Sequence, residues 1–181
     1  EVASLVIDAD LPAVEEIEYS TVQKAKKMLM ILAERVPFTP NISQLCKELE
    51  TTRDVGLKLL YALERAALLK LLISEIKSYK SLSKPEKVYL NNTNLMYVLT
   101  AKVDKGNLRE TFFFNQVNAA YSAIMPQKGD FLVDGKYLFE VGGKGKTFEQ
   151  IKDIADSFLA VDDVECGHKN RIPLWMFGLL Y

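Results

Sequence analysis

The chain has 181 residues, 49% of them apolar, and its 23 Lys and Arg stand against 24 Asp and Glu for a formal net charge of −1. That composition belongs to a globular protein and excludes a disordered or fibrous one. Charge balance excludes attraction of the whole molecule to nucleic acid, leaving that task to a local basic patch, and no apolar run approaches the roughly 18 residues of a membrane span.

The two cysteines, Cys46 and Cys166, are too few for a disulfide scaffold and fit a reducing cytoplasm. Cys166 and His168, beside Asp162, Asp163 and Glu165, invite a metal reading. Structural zinc needs four well-spaced Cys or His ligands, so a polar turn is the expectation there.

Residues 1–18 carry an acidic, interrupted pattern: Val6, Ile7, Leu11, Val14 and Ile17 are apolar, but Pro12 breaks the run. They read as an extended or short-helical lead-in. The chain opens at Glu1 without methionine and stops on Leu-Leu-Tyr, as a piece of a longer protein would.

Residues 19–92 are mostly helical in pattern. Met28, Leu29, Ile31 and Leu32 mark a first helix over 21–35. After Pro37 and Pro40, Asn41 is placed to cap a short helix over 42–49, with Gln44 at the capping-box position. Thr51 or Thr52 then caps a longer helix over 53–67 that turns Val55, Leu59, Leu60 and Leu63 inward. Short helix, tight turn and longer helix form a helix-turn-helix pattern. A β-like run over 68–76, a lysine-bearing loop and Lys87–Leu90 complete a winged helix.

In such a module the N-terminal residues of the second helix of the pair can meet base edges, here Thr52, Arg53 and Lys58. Lys77, Lys80, Lys84 and Lys87 on the wing form a strip suited to phosphates. Glu48, Glu50, Asp54 and Glu64 dilute that charge, and a winged helix can equally dock protein.

Residues 93–181 read as a small α/β domain with a mixed sheet: a helix over 107–122, a hairpin around Asp134-Gly135, a helix over 147–158 and a short strand over 158–161. In the hairpin, Phe131, Val133, Tyr137, Phe139 and Val141 alternate on one face. A three-residue loop with glycine in a left-handed conformation keeps that face intact, and it brings Asp130 and Glu140 together on the other. The bland alternative for the two acids is to deter edge-to-edge sheet association.

The run Gly145-Lys146-Thr147 imitates the tail of a phosphate-binding loop. The glycine that should start the loop five residues earlier is Glu140, so ATP binding is not expected here.

Glu110 on a helix, Asp130 and Glu140 on consecutive strands and a following lysine resemble the PD-(D/E)xK restriction-endonuclease-like domain. The blocks KPEKVYLNNTNLMYVL, LRETFFFNQV, GDFLVDGKYLFEVGGKGK and NRIPLWMFGLLY are, more specifically, similar to the C-terminal region of predicted bacterial AAA+ ATPases. The resemblance covers about residues 11–181. It implies a mixed α+β chain: a lead-in from an ATPase module (1–18), a winged-helix-like domain (19–92) and a nuclease-like domain (93–181).

It also implies catalytic roles for Glu110, Asp130, Glu140 and Lys144, with Asp130 and Glu140 holding Mg²⁺ if the site is competent. Two departures stand out. Gly129 replaces the motif proline, and Gly142 stands where its lysine belongs, leaving Lys144 and Lys146 as the nearest candidates. The expected function is a nucleic-acid-linked regulatory module without its own ATP site and with little or no cleavage. The alternatives are a Mg²⁺-dependent DNA or RNA hydrolase and a non-catalytic docking module. ATP is implied only for the ATPase module. The implied partners are DNA and that module, with self-association compatible and a membrane not expected.

Overall fold

A computed structural model describes residues 5–10, 12, 19–74 and 84–180. Contacts divide the chain into two compact units, Glu1–Leu71 with Tyr79–Ala101 and Leu72–Ser78 with Lys102–Tyr181. Among the described residues the chain is mixed α and β, with a two-stranded and a five-stranded sheet.

In the first unit, Val6–Asp10 forms a π-helical turn that buries Ile7. Leu11, Val14 and Ile17 of the lead-in lie outside the described residues. Helix α1 (Tyr19–Ala33) buries Val22, Ala25, Met28, Leu29 and Leu32, the three-and-four spacing of one helical stripe. Helix α2 (Ile42–Glu48) starts at Asn41, whose side chain accepts from the Gln44 N–H at 3.1 Å. The Gln44 side chain donates forward to Glu48 (3.2 Å).

Helix α3 (Arg53–Arg65) is capped by Thr52, whose Oγ1 accepts from the Val55 N–H. Leu59, Leu60 and Leu63 are buried as the pattern requires. A Cβ on Gly56 would lie 2.5 Å from Cys46 Sγ, so glycine is what lets α3 approach α2.

Strands β1 (Leu69–Leu72) and β2 (Lys87–Leu90) pair into a ribbon. Phe38, between α1 and α2, joins β2 through an antiparallel bridge to Val88, with both main-chain bonds made (3.1 and 2.9 Å). The flanking prolines mask that rung in the sequence. Helix α4 (Thr93–Leu99), capped by Asn92 and also unforeseen, groups with this unit.

In the second unit, helix α5 (Lys105–Ala120) begins two residues earlier than its apolar pattern suggests, because Asp104 accepts from the Asn107 N–H at 2.9 Å. The sheet runs in the order β3 (Ala123–Ile124), β4 (Phe131–Val133), β5 (Tyr137–Gly142), β6 (Ser157–Val161) and β7 (Arg171–Pro173). Strands β3 to β5 form an antiparallel meander, whereas β5–β6 and β6–β7 are parallel.

Phe113 of α5 packs between Phe131, Phe139 and Phe177, with ring centroids 5.1, 5.0 and 4.7 Å away. Such tilted aromatic contacts add to plain area burial. On the opposite face Leu138, Ile151, Leu159 and Val161 form a second cluster, flanked by Phe148, Ile154 and Val164.

The helix expected over 147–158 is replaced by a chain of turns. Ile151 N–H donates to Phe148 O and Ile154 N–H to Ile151 O, at 3.2 and 3.1 Å. The apolar residues recur every third position, and three-residue turns put all of them on one side where a 3.6-residue helix would splay them. Ser157 ends the run by donating to the Ile151 and Ile154 carbonyls.

No helix among the described residues is long and apolar enough to cross a membrane.

Candidate functional site

The hairpin register pairs Phe131 with Phe139, Leu132 with Leu138 and Val133 with Tyr137. This is the three-residue loop that the alternation requires. Asp134 and Gly135 both take positive φ (50° and 64°), and the Lys136 N–H closes the turn on Val133 O. Continued one step beyond the last pair, the register sets Asp130 against Glu140. Glu140 lies inside the sheet, paired with Leu159 of β6, whereas β3 pairs only with Leu132 and Val133 and stops short of Asp130.

Asp130 is fixed by both its backbone and its side chain. Its N–H donates to Phe139 O (2.9 Å), and its Oδ2 accepts from the Val141 N–H at 2.8 Å. Burial pushes its carboxyl up to about 6, with the negative charges of Glu110 and Glu140 adding to the rise. The Val141 N–H bond and the Lys146 charge oppose it. Glu110 on α5 therefore acts on Asp130 through its field, and is itself half-buried.

Glu140 is buried, at 3% exposure. Lys146 Nζ lies 2.6 Å from its Oε1, while its Oε2 has no hydrogen-bond partner. A buried carboxylate oxygen without a donor is rare enough to need a reason. Thr111 Oγ1, next to Glu110 on α5, is a second buried oxygen without a partner.

The lysine brought to the carboxylates is thus Lys146, not Lys144. Lys144 is exposed, and its carbonyl accepts from Arg171 Nη2 at 3.0 Å. Lys146 gets there by crossing Gly142: a Cβ at Gly142 would sit 2.8 Å from Lys146 Cβ, Cγ and Cδ. Gly142 leaves the space in which the Lys146 side chain lies. A turn from Lys146 N–H to Gly143 O (2.9 Å) folds the chain back, and Arg171 Nη1 holds Lys146 O at 3.1 Å. Arg109 of α5 closes the rim through Asp162 (2.9 Å) and Asp163 (3.1 Å).

Thr147 leads into turns and not into a helix, so the run Gly145-Lys146-Thr147 does not open a helix N-terminus of its own. Near Cys166 the chain makes the expected polar turn, with His168 and Arg171 exchanging main-chain bonds at 3.0 Å. Among the described residues no group of three or more His, Cys, Asp or Glu side chains is arranged to hold a metal ion. Asp130 and Glu140 offer two carboxylates, one with an open buried oxygen, and this is the kind of donor that Mg²⁺ takes a few of while keeping several waters.

In the first unit Thr52, Arg53 and Lys58 are exposed at the start of α3, whereas Lys84 and Lys87 are half-buried. Lys77 and Lys80 lie outside the described residues. Glu48, one of the diluting acids, is paired with Arg35 at 3.1 Å.

Comparison with known proteins gives no match to a family model, to a curated protein or to a solved structure.

Proposed function

We propose that this chain is a nucleic-acid-linked regulatory module: a winged-helix-like unit that contacts DNA, joined to a restriction-endonuclease-like unit that engages the phosphodiester backbone. One observation carries the reading. Asp130, Glu140 and a lysine meet on neighbouring positions of a hairpin and its following loop, beside the field of Glu110. The order of a helix, an antiparallel meander and then a parallel strand supports the nuclease-like assignment, as the Phe38–Val88 rung supports the winged helix. ATP hydrolysis is assigned to an AAA+ module other than these residues.

In the state described, Glu140 is shielded and ion-paired, so the unit binds without efficient cleavage. A second reading, Mg²⁺-dependent hydrolysis of DNA or RNA, is favoured by the recovery of a lysine at Glu140. The ion would be held by Asp130 and Glu140 and would supply activation of water and charge neutralisation.

Duplex retention measured by fluorescence anisotropy over a salt series tests the proposal. Binding that weakens linearly in log-log form with salt is expected, because phosphate contacts release counterions. Retention that is absent or insensitive to salt would remove the nucleic-acid reading. Cleavage of the same duplex with Mg²⁺ or Mn²⁺, lost in Glu140→Ala, would place hydrolysis first.

A further inference from the structure

We propose that Lys146 is a resident counter-cation that holds Glu140 against divalent-ion capture, so that an ion enters the Asp130–Glu140 pair only when the lysine leaves. The inference rests on the reading of that pair as an ion site. Lys146 Nζ stands 2.6 Å from Glu140 Oε1, and Glu140 is only 3% exposed. A Mg²⁺-sized ion needs carboxylate oxygens at about 2.0–2.1 Å and brings two positive charges. It therefore cannot share Oε1 with an ammonium group without strong repulsion. The unpartnered Oε2 of Glu140 shows that one cation satisfies only half of this carboxylate.

The loop is constructed so that the side chain can move while the backbone stays. Arg171 pins the Lys144 and Lys146 carbonyls (3.0 and 3.1 Å), and the Lys146 stem rests on the bare Cα of Gly142. Removing the ammonium group frees one carboxylate and adds one net negative charge beside Asp130 and Glu110. Both changes favour a divalent ion.

Mn²⁺ titrated into the full chain at slightly alkaline pH, followed by loss of the free-ion electron paramagnetic resonance signal, reads this directly. The wild type is expected to bind weakly, and Lys146→Met at least tenfold more tightly. Gly142→Ala, whose new methyl group collides with the Lys146 stem, should shift affinity the same way. Lys146→Arg should stay near the wild type, and Lys146→Met with Glu140→Gln should lose the gain.

A folded Lys146→Met chain that binds Mn²⁺ no more tightly than wild type overturns the proposal, as does tight binding by the wild type itself. If Lys146→Met does not fold, Gly142→Ala decides on the same criterion. Duplex retention without added metal is a separate readout, so loss of retention would end the functional proposal while leaving this titration interpretable.

Discussion

Lys146 reaches Glu140 by lying across Gly142, a residue without a side chain, and the resulting 2.6 Å contact joins a loop ammonium to a carboxylate that is almost fully buried. One position thus does two things. It stands where the resemblance to a nuclease-like motif would put a lysine, and it clears the path by which Lys146 arrives.

The pair should matter for stability because its acid has little access to water. Lys146→Met leaves Glu140 buried and uncompensated, which costs about 3–5 kcal/mol when one partner of such a pair is removed. Replacing both, as Lys146→Met with Glu140→Gln, should recover most of that loss. Urea unfolding of the two single variants and the double variant measures the coupling, and additive losses would show that the pair is not a unit.

Asp130 predicts a pH dependence. Its folded value of about 6 lies above the ordinary 3.8, so between those values the folded chain binds more protons than the unfolded one. Its contribution is therefore complete below about pH 4, fades as pH rises through 6 and is absent above. Asp130→Asn keeps an acceptor for the Val141 N–H and removes the penalty on the ionised form. It should gain on the order of 2 kcal/mol over wild type at pH 8 and nothing at pH 4. Melting temperatures at the two pH values check the sign, and an equal effect at both would contradict it.

The exposed start of α3 predicts salt-dependent contact with DNA. Arg53→Ala and Lys58→Ala should each weaken duplex retention, and a side chain that neutralises one phosphate should, when truncated, lower the salt slope by about 0.9. Variants that retain the wild-type slope would move the contact elsewhere on the unit.

Packing between α2 and α3 gives a prediction independent of function. Gly56→Ala drives a methyl group into Cys46 Sγ, 2.5 Å from the ideal Cβ position. A loss of about 1–3 kcal/mol is expected from overpacking. Cys46→Ala in the same chain vacates the space and should restore part of it. Unfolding midpoints of the single and double variants give the answer.

The short-range features are legible in the sequence. Asn41 and Thr52 cap the helices they precede, and alternation in the hairpin leads to its three-residue loop and to the Asp130–Glu140 juxtaposition. What escapes a reading of the residues depends on partners distant in sequence or on space. The Phe38 rung needs β2, fifty positions away, to complete it. Strand parity favours neither Lys144 nor Lys146 once two glycines intervene, and the deciding fact is the room above Gly142. The missing helix over 147–158 has a visible signal in Phe148, Ile151 and Ile154. Their spacing of three lies close enough to 3.6 to imitate a helical period over so short a run.

The crossover over 143–156, built of turns, has a consequence for motion. It covers one face of the central strands with Phe148, Ile151 and Ile154, yet it lacks the continuous i to i+4 ladder that makes a helix open cooperatively. Its amides should exchange with deuterium well before those of β5 and β6 beneath it. Lys146 lies ahead of this cover, on a turn whose carbonyls Arg171 holds, so opening of the turns over 148–156 should leave the Lys146 backbone in place.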